Sequence, residues 1–284
     1  GNGSLRAGEA AGAFGVNRAT FVPTNTLANN KAGDASGAGQ AEQSIVFLGQ
    51  NGLCAWNDGQ GFNLSPQDVQ GYGYTTDGGA TWTDGGIPPK AGTILTWTSD
   101  PVVTVNEKTG EFFYIGLTTN SGTQNGVGVA RGHFSGTSFV WDGVSVVAAG
   151  SNSTMAFDKQ WIAADSLSGN VYATWSLFTT TSLNIYFSRS TDGGVTWSTP
   201  VIVSRTWEAG GVSGSRPAVG PNGEVYVVWS AIGQINDFDY MRIRKSTNGG
   251  VSFGAEANAC QFISNFGSGA PGFNRERCLS FPSI

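Results

Sequence analysis

Three charged residues recur at a regular step along the chain, and with two neighbours of the second they could do chemistry together. Asp100, Lys159 and Arg216 stand 59 and 57 residues apart, and Asp158 and Trp161 flank the second of them. If the fold brings these positions to one place, the mixed charges there could bind a polar ligand or a cation. The alternative is that the opposite charges pair with one another and fill the space between them.

The remaining ionisable residues form no catalytic or metal-binding pattern. His133 is the only histidine among 284 residues, and no nucleophile pattern near it predicts a Ser–His–Asp arrangement. Asp237 and Asp239 offer oxygen ligands for calcium, but they lack EF-hand spacing, and we interpret them as part of a solvated loop. The cysteine spacing fits no zinc site. We therefore predict no catalytic residue, no cofactor and no metal.

The elements that would position the five residues are indicated by a repeated octet, Ser/Thr-x-Asp-x-Gly-x-Thr/Ser-aromatic. It occurs at 75–82 and 190–197 and, with Asn in place of Asp, at 246–253. An Asp or Asn in a tight turn accepts backbone N–H bonds, and the glycines supply positive φ. The pattern predicts a rigid hairpin turn whose aromatic packs between neighbouring elements. Its structural residues are Asp77, Gly79, Trp82, Asp192, Gly194, Trp197, Asn248, Gly250 and Phe253.

The octets follow a constant period. From Asp77 to Asp192 is 115 residues and from Asp192 to Asn248 is 56, so one copy is missing near residue 134. Residues 131–139 keep the Gly, the Thr and an aromatic but lack the Asp, and we interpret them as an eroded copy. Each period carries about four short strand-like runs separated by turns. Repeats of this kind predict the blades of a β-propeller.

The octet resembles the Asp box of the sialidase-like (BNR-repeat) family, over residues 41–284. The resemblance implies an all-β fold, a β-propeller of four-stranded antiparallel blades with the boxes on outer turns. Sialidase-like propellers have six blades, so four visible blades with an open sheet edge predict a truncated chain. The alternative is a ring of four blades sealed by an extended arm at 1–40. The expected blades are 41–92, 93–150, 151–207 and 208–265, with a further blade starting at 279–284.

The resemblance does not carry a sialidase active site with it. Sialidases hold a carboxylate with three arginines, the first in an Arg-Ile-Pro-like motif on an early strand, and they use a Tyr–Glu pair and an Asp. Arg216-Pro217 is the nearest approach to that motif, but it belongs to the fourth repeat and is followed by Ala. The first inner strand, at 44–48, contains no Arg. No catalytic residue is therefore assigned by position.

The composition limits where the protein works and what it binds. A net charge of −5 and a pI near 4.8 argue against binding nucleic acid or anionic membranes. No apolar run approaches the roughly 18 residues of a membrane span. A Gly-rich, Lys-poor β-repeat chain is typical of extracellular or periplasmic proteins. A disulfide between Cys260 and Cys278 would fit such a compartment, although the two can also be unrelated thiols, and Cys54 is expected to be buried.

These observations favour a non-catalytic, secreted or periplasmic propeller that serves as a binding or scaffold module, for example as an accessory subunit of a larger assembly. Its partners would be other proteins or a surface glycan. One alternative is an exo-sialidase-like glycoside hydrolase with catalytic residues partly outside this chain. Another is a carbohydrate-binding lectin propeller.

Overall fold

The computed structural model describes residues 26–32, 34–120, 122–204, 211–232, 238–262 and 281–283. Within them the regular structure is β-strand, apart from one 3₁₀ turn at Gly59–Asn63. The strands form four antiparallel sheets of four, each a meander in chain order. The predicted all-β fold of four-stranded propeller blades is confirmed. The first sheet contains β1 (Gln40–Leu48), β2 (Asn51–Asp58), β3 (Gln70–Thr75) and β4 (Thr83–Gly86); the second, β5 (Ile94–Asn106), β6 (Glu111–Asn120), β7 (Gln124–Ser135) and β8 (Ser138–Ser151); the third, β9 (Met155–Ala164), β10 (Val171–Thr179), β11 (Leu183–Ser190) and β12 (Val201–Ile202); the fourth, β13 (Val212–Val219), β14 (Val225–Ala231), β15 (Asp239–Ser246) and β16 (Ala257–Phe262).

The hydrophobic core lies between the sheets. Three clusters of buried side chains join the first sheet to the second, the second to the third and the third to the fourth. The second strands, β2, β6, β10 and β14, have nearly continuous buried runs because both of their faces are covered. This is why their sequences read as apolar runs rather than as a period-2 alternation.

The three octets form one turn built three times. In the second copy, Ser190 Oγ donates to Asp192 Oδ1 at 2.7 Å and accepts from the N–H of Gly194 at 2.8 Å. Thr196 donates to the Asp192 carboxylate from its N–H at 2.9 Å and from its hydroxyl at 2.5 Å. The first copy makes the same bonds. In the third copy an Asn replaces the Asp, and its amide donates to a serine hydroxyl.

The octet turns join consecutive sheets. The carbonyl of Gly194 accepts from Ser145 Oγ of the preceding sheet at 2.7 Å, and Trp197 Nε1 donates to the same hydroxyl at 2.9 Å. A Cβ added at Gly194 would lie 3.3 Å from the ring of Phe113. The glycine therefore serves two purposes, a positive φ of 81° and close contact with the neighbouring sheet.

Residues 26–30 take the place of a preceding sheet at the first octet. Thr26 Oγ1 donates to the carbonyl of Gly79 at 2.6 Å, the counterpart of the serine bond at the second octet. The carbonyl of Ala28 lies so close to Gly73 that a Cβ there would clash with it. This end of the predicted arm thus lies on the first sheet, and residues 1–25 and 33 of the arm lie outside the described residues.

Candidate functional site

Each of the four innermost strands contains a β-bulge at the same place. In β1, β5, β9 and β13 the register shifts so that two residues face one residue of the second strand. The first residue of each bulge has left-handed backbone torsions, and bulges re-aim side chains. The four residues are Glu42 (φ 55°), Asp100 (φ 58°), Lys159 (φ 49°) and Gly214 (φ 66°).

Three of these four bulge residues carry an ionisable side chain where glycine would be less strained. Glu42, Asp100 and Lys159 are the only non-glycine residues with positive φ in the described part of the chain. A left-handed conformation costs an ordinary residue about 1–2 kcal/mol. Strained residues of this kind cluster at functional sites. Because these three residues are both strained and ionisable, they are candidate site residues.

The bulges are supported by the strand behind them. Trp56, Trp175 and Trp229 stand opposite three of the bulges and are at most 3% exposed. In the second sheet Gly116 takes that position. The amide of Gln70 fills the space and donates to two backbone carbonyls at 2.6 and 3.0 Å. The bulge residues therefore rest on a packed base, which favours defined side-chain positions.

The structure corrects the repeat position of Arg216. The bulge residue of the fourth sheet is Gly214, so Gly214 rather than Arg216 matches Asp100 and Lys159. Arg216 lies two residues further along, at the position that Trp161 has in the third sheet. The two meet directly: the guanidinium carbon of Arg216 lies 3.9 Å from the centre of the Trp161 ring. This is a cation–π contact.

Glu42 and Asp100 form a carboxyl pair held by one amide. Asn57 Nδ2 donates to Glu42 Oε2 at 3.1 Å and to Asp100 Oδ1 at 3.3 Å. The hydrogen bond with Asp100, followed by burial, raises the pKa of Glu42 from 4.5 to about 7. Burial opposes ionisation of Asp100, but its hydrogen bonds with Glu42 and Lys159 keep its pKa below the ordinary value. Below a pH of about 7 the pair thus holds one proton, on Glu42.

Lys159 neutralises the carboxylates around it. Its Nζ lies 2.5 Å from Asp100 Oδ2, 3.5 Å from Asp158 Oδ1 and 4.0 Å from Glu42 Oε1. Burial lowers the pKa of Lys159, but the hydrogen bond from its ammonium to Asp100 and the nearby negative charges outweigh burial, so the pKa is raised overall. Burial raises the pKa of Asp158. The predicted pairing of opposite charges therefore occurs in part of the cluster.

The pairing does not fill the space. A cavity of about 190 Å³, which we call the bulge pocket, remains between the innermost strands. Arg216 faces it and makes no ion pair with any described residue; burial lowers the pKa of its guanidinium. The pocket is lined by Glu42, Asp100, Pro101, Val102, Lys159, Gln160, Trp161, Gly214, Ser215, Arg216 and Phe281.

The structure thus brings together the residues that the repeat count placed at one position. Asp100, Lys159, Trp161 and Arg216 line the bulge pocket, and Asp158 contacts it through Lys159. Whether they bind a ligand stays a prediction. Sequence reasoning missed Glu42, although counting back 58 residues from Asp100 reaches it. It also missed Phe281, Gln160 and Ser215, for which the repeat carried no chemical signal.

The other candidate residues lie apart from the pocket. His133 is on β7, where its Nδ1 lies 2.8 Å from Asp142 Oδ2 at a half-exposed position. Asp239 is buried at the start of β15, so the predicted solvated loop is wrong for this residue, and Asp237 lies outside the described residues. In the described part of the chain, no group of three His, Cys, Asp or Glu residues could hold a metal.

The predicted disulfide stays a prediction. Cys260 is exposed on β16 and forms no disulfide with a described residue, and Cys278 lies outside the described residues. Cys54 is buried on β2, and burial raises its pKa to about 11. No helix among the described residues has the length and apolarity needed to cross a bilayer.

Comparison by sequence finds no relative. No family model matches the chain, and no curated protein matches it. Comparison by structure does find similar folds. An α-L-arabinofuranosidase from Fusarium graminearum matches with a TM-score of 0.60 at 15% identity, covering 82% of this chain and 69% of that enzyme.

Two further solved structures are similar. An α-L-arabinanase from Penicillium chrysogenum complexed with arabinobiose has a TM-score of 0.59 at 13% identity and covers 79% of this chain and 69% of its own. A Hadza microbial sialidase has a TM-score of 0.46 at 11% identity, covering 68% of this chain. This chain spans 46% of the sialidase's length. The α-L-arabinofuranosidase and the α-L-arabinanase, with TM-scores of 0.60 and 0.59, resemble this chain in fold.

Proposed function

We propose that the chain belongs to a glycoside hydrolase and that the reaction takes place in the bulge pocket. The observation that carries this proposal is the carboxyl pair of Glu42 and Asp100, in which Glu42 has a pKa of about 7. A carboxylic acid that keeps its proton near neutral pH can protonate the oxygen of a leaving group. The sequence alone favoured binding without catalysis, because it did not reveal Glu42.

The residues of the pocket suggest the following division of work. Glu42 gives its proton to the glycosidic oxygen as the bond from that oxygen to the anomeric carbon breaks. The carboxylate of Asp100 stabilises the positive charge that develops on the sugar ring. Once the leaving group has departed, a water oxygen bonds to the anomeric carbon and passes its proton to the Glu42 carboxylate, which restores the acid for the next cycle. Lys159 keeps Asp100 ionised throughout.

The folds that resemble this one guide the choice of substrates. Two of them are an α-L-arabinanase and an α-L-arabinofuranosidase, so 4-nitrophenyl α-L-arabinofuranoside heads the panel, followed by other aryl glycosides and a fluorogenic sialoside. We expect wild-type chain to release the phenol from at least one glycoside. We expect Glu42→Gln to reduce kcat by roughly 10²–10⁴-fold, the range for loss of a general acid.

Asp142→Asn is the matched control because it also removes a carboxylate, but on the outer rim beside His133. It should leave kcat unchanged. Turnover that survives Glu42→Gln, or the absence of turnover on the whole panel, would contradict the proposal.

A second candidate is glycan binding without turnover, as a secreted or periplasmic module. It is supported by the closeness of the carboxyl pair, since one amide bonds both Glu42 and Asp100. The catalytic carboxyls of glycosidases usually stand about 5–5.5 Å apart in retaining enzymes and about 6.5–9.5 Å apart in inverting ones. Binding of glycans on an array, with no hydrolysis of the panel, would favour this candidate. A non-catalytic module could also bind a protein partner in a larger assembly, and co-purification tests for such a partner.

A further inference from the structure

The fourth bulge differs from the other three in what fills it. Gly214 has no side chain, and the ring of Phe281 lies over it so closely that a Cβ added at Gly214 would clash with the ring. An aromatic ring from a distant part of the sequence therefore occupies the place where the other sheets put a carboxyl or an ammonium group. Glycine is needed at position 214 for two reasons, the positive φ of 66° and the close contact with the Phe281 ring.

Phe281 gives the bulge pocket an apolar wall. Pro101 and Val102 extend that wall from the second sheet. Trp161 is less available to a ligand, because the guanidinium of Arg216 already lies on its ring. Of the two aromatic side chains lining the pocket, Phe281 is therefore the one on which no cation of the described residues is stacked.

The other side of the pocket is polar. Glu42, Asp100 and Lys159 present a carboxylic acid, a carboxylate and an ammonium group, which together can donate to and accept from hydroxyls. At about 190 Å³ the cavity is smaller than the roughly 300–1,000 Å³ typical of pockets for drug-sized ligands. A ligand that fits must be small, with a hydroxyl edge and an apolar face.

We propose that the bulge pocket binds one sugar ring, with its hydroxyl edge towards Glu42, Asp100 and Lys159 and its C–H face on Phe281. Phe281 is then a specificity-determining residue. Rings that gather their C–H groups on one face, as galactose does around its axial hydroxyl, bind better than rings such as glucose. This inference rests on the proposed function and adds the orientation of the sugar and the residue that selects it.

The test is direct binding of methyl β-D-galactopyranoside and methyl β-D-glucopyranoside to the full chain, followed by saturation-transfer difference NMR. We expect the galactoside to bind more tightly, with the strongest saturation on the C–H protons of its apolar face. Phe281→Ala should weaken galactoside binding roughly tenfold, which corresponds to about 1.4 kcal/mol, and should remove the preference over glucoside. Phe281→Tyr should keep both.

Two further variants separate the ring contact from general damage to the fold. Phe62→Ala makes the same substitution at a residue that is 62% exposed on the 3₁₀ turn, and it should bind as wild type does. Gly214→Ala leaves Phe281 in the chain but displaces its ring, so it should reproduce the weaker binding. Equal binding of the galactoside by wild type and Phe281→Ala would overturn the inference.

The outcomes distinguish this inference from the proposed function. If aryl glycosides are hydrolysed in a Glu42-dependent manner while Phe281→Ala leaves KM and the sugar preference unchanged, the inference is wrong and the hydrolase proposal stands. If sugar binding depends on Phe281 but no glycoside is hydrolysed, the inference holds and hydrolysis is ruled out for this panel. Failure of wild type to bind either methyl glycoside overturns the inference.

Discussion

Asn57 holds Asp100 from two directions. Its side-chain carbonyl accepts the backbone N–H of Asp100 at 2.7 Å, while its amide donates to the Asp100 carboxylate at 3.3 Å. The two residues come from β2 and β5, so this clamp joins the first two sheets at the bulge. It fixes both the strained backbone of Asp100 and the direction of its carboxylate.

The clamp leads to a prediction about stability. Asn57→Ala leaves a partly buried N–H and a carboxylate oxygen without this partner, and it should lower the free energy of unfolding by about 1–3 kcal/mol. Urea unfolding followed by fluorescence would measure it. Asn63→Ala, on the exposed 3₁₀ turn, is the matched control and should change little. Equal stability of the two variants would contradict a structural role for the clamp.

The strained bulge predicts an unusual order of stabilities. At Glu42 the φ of 55° favours glycine, so Glu42→Gly should be more stable than Glu42→Ala by about 1 kcal/mol. At the neighbouring Gln43, whose φ is not positive, the order should reverse, because glycine only adds flexibility there. Comparing the four variants by thermal unfolding tests this. Alanine more stable than glycine at both positions would show that the left-handed bulge is absent in solution.

The raised pKa of Glu42 predicts that the free energy of unfolding falls as pH rises from about 4.5 towards 7. Because its pKa is raised in the folded chain from 4.5 to about 7, the native state binds more protons than the unfolded state in that window. Its contribution is fully present below 4.5 and is lost as pH rises through 7. The side chain is 40% exposed, so solvent weakens the effect. Urea unfolding between pH 4.5 and 8 should show a flatter dependence in Glu42→Gln, whose amide does not titrate; identical slopes would contradict the raised pKa.

The third octet predicts how the second tolerates substitution. Asn248 already replaces Asp there and keeps bonds to Ser252, one from the serine N–H and one to its hydroxyl. Asp192→Asn should therefore retain most of the stability, while Asp192→Ala should lose about 1 kcal/mol because the turn N–H of Thr196 loses its acceptor. Thermal unfolding of the two variants checks the order. If they are equally stable, the bonds to Asp192 do not hold the turn.

The positive charge of Lys159 predicts a shift in the titration of Glu42 when the lysine is replaced. Its positive charge lowers the pKa of Glu42 and offsets part of the increase caused by Asp100. Lys159→Met should raise the Glu42 pKa further, above about 7. The measurement is the titration of Glu42 by carboxyl NMR, in wild type and in the variant. A lower pKa in the variant would show that the ammonium does not act on this carboxyl.

The sequence predicted the fold better than the site, for physical reasons. Octet turns such as 190–197 are local, since their side chains bond their own backbone, and so residue type and spacing reveal them. The period then placed Asp100 and Lys159 at one position, and the structure agrees. It shifted Arg216 by two residues, because the count followed the Arg-Pro pair rather than the glycine that forms the bulge. Glu42 was missed because backbone torsion, not composition, marks its importance, and Phe281 because its contact spans a long stretch of chain.

At the bulges of the four innermost strands, the side chain that faces the pocket can change without changing the pairing of the strands. Each strand already bends at its bulge and is supported by packed side chains behind it. A substitution at the bulge therefore replaces a functional group while the strand pairing stays intact. Glu42, Asp100 and Lys159 occupy equivalent bulge positions, from which three different functional groups face one pocket. A scaffold of this kind can acquire a new ligand preference at Glu42, Asp100 or Lys159 while the strands stay paired, whereas Gly214 is fixed by the ring of Phe281 that lies over it.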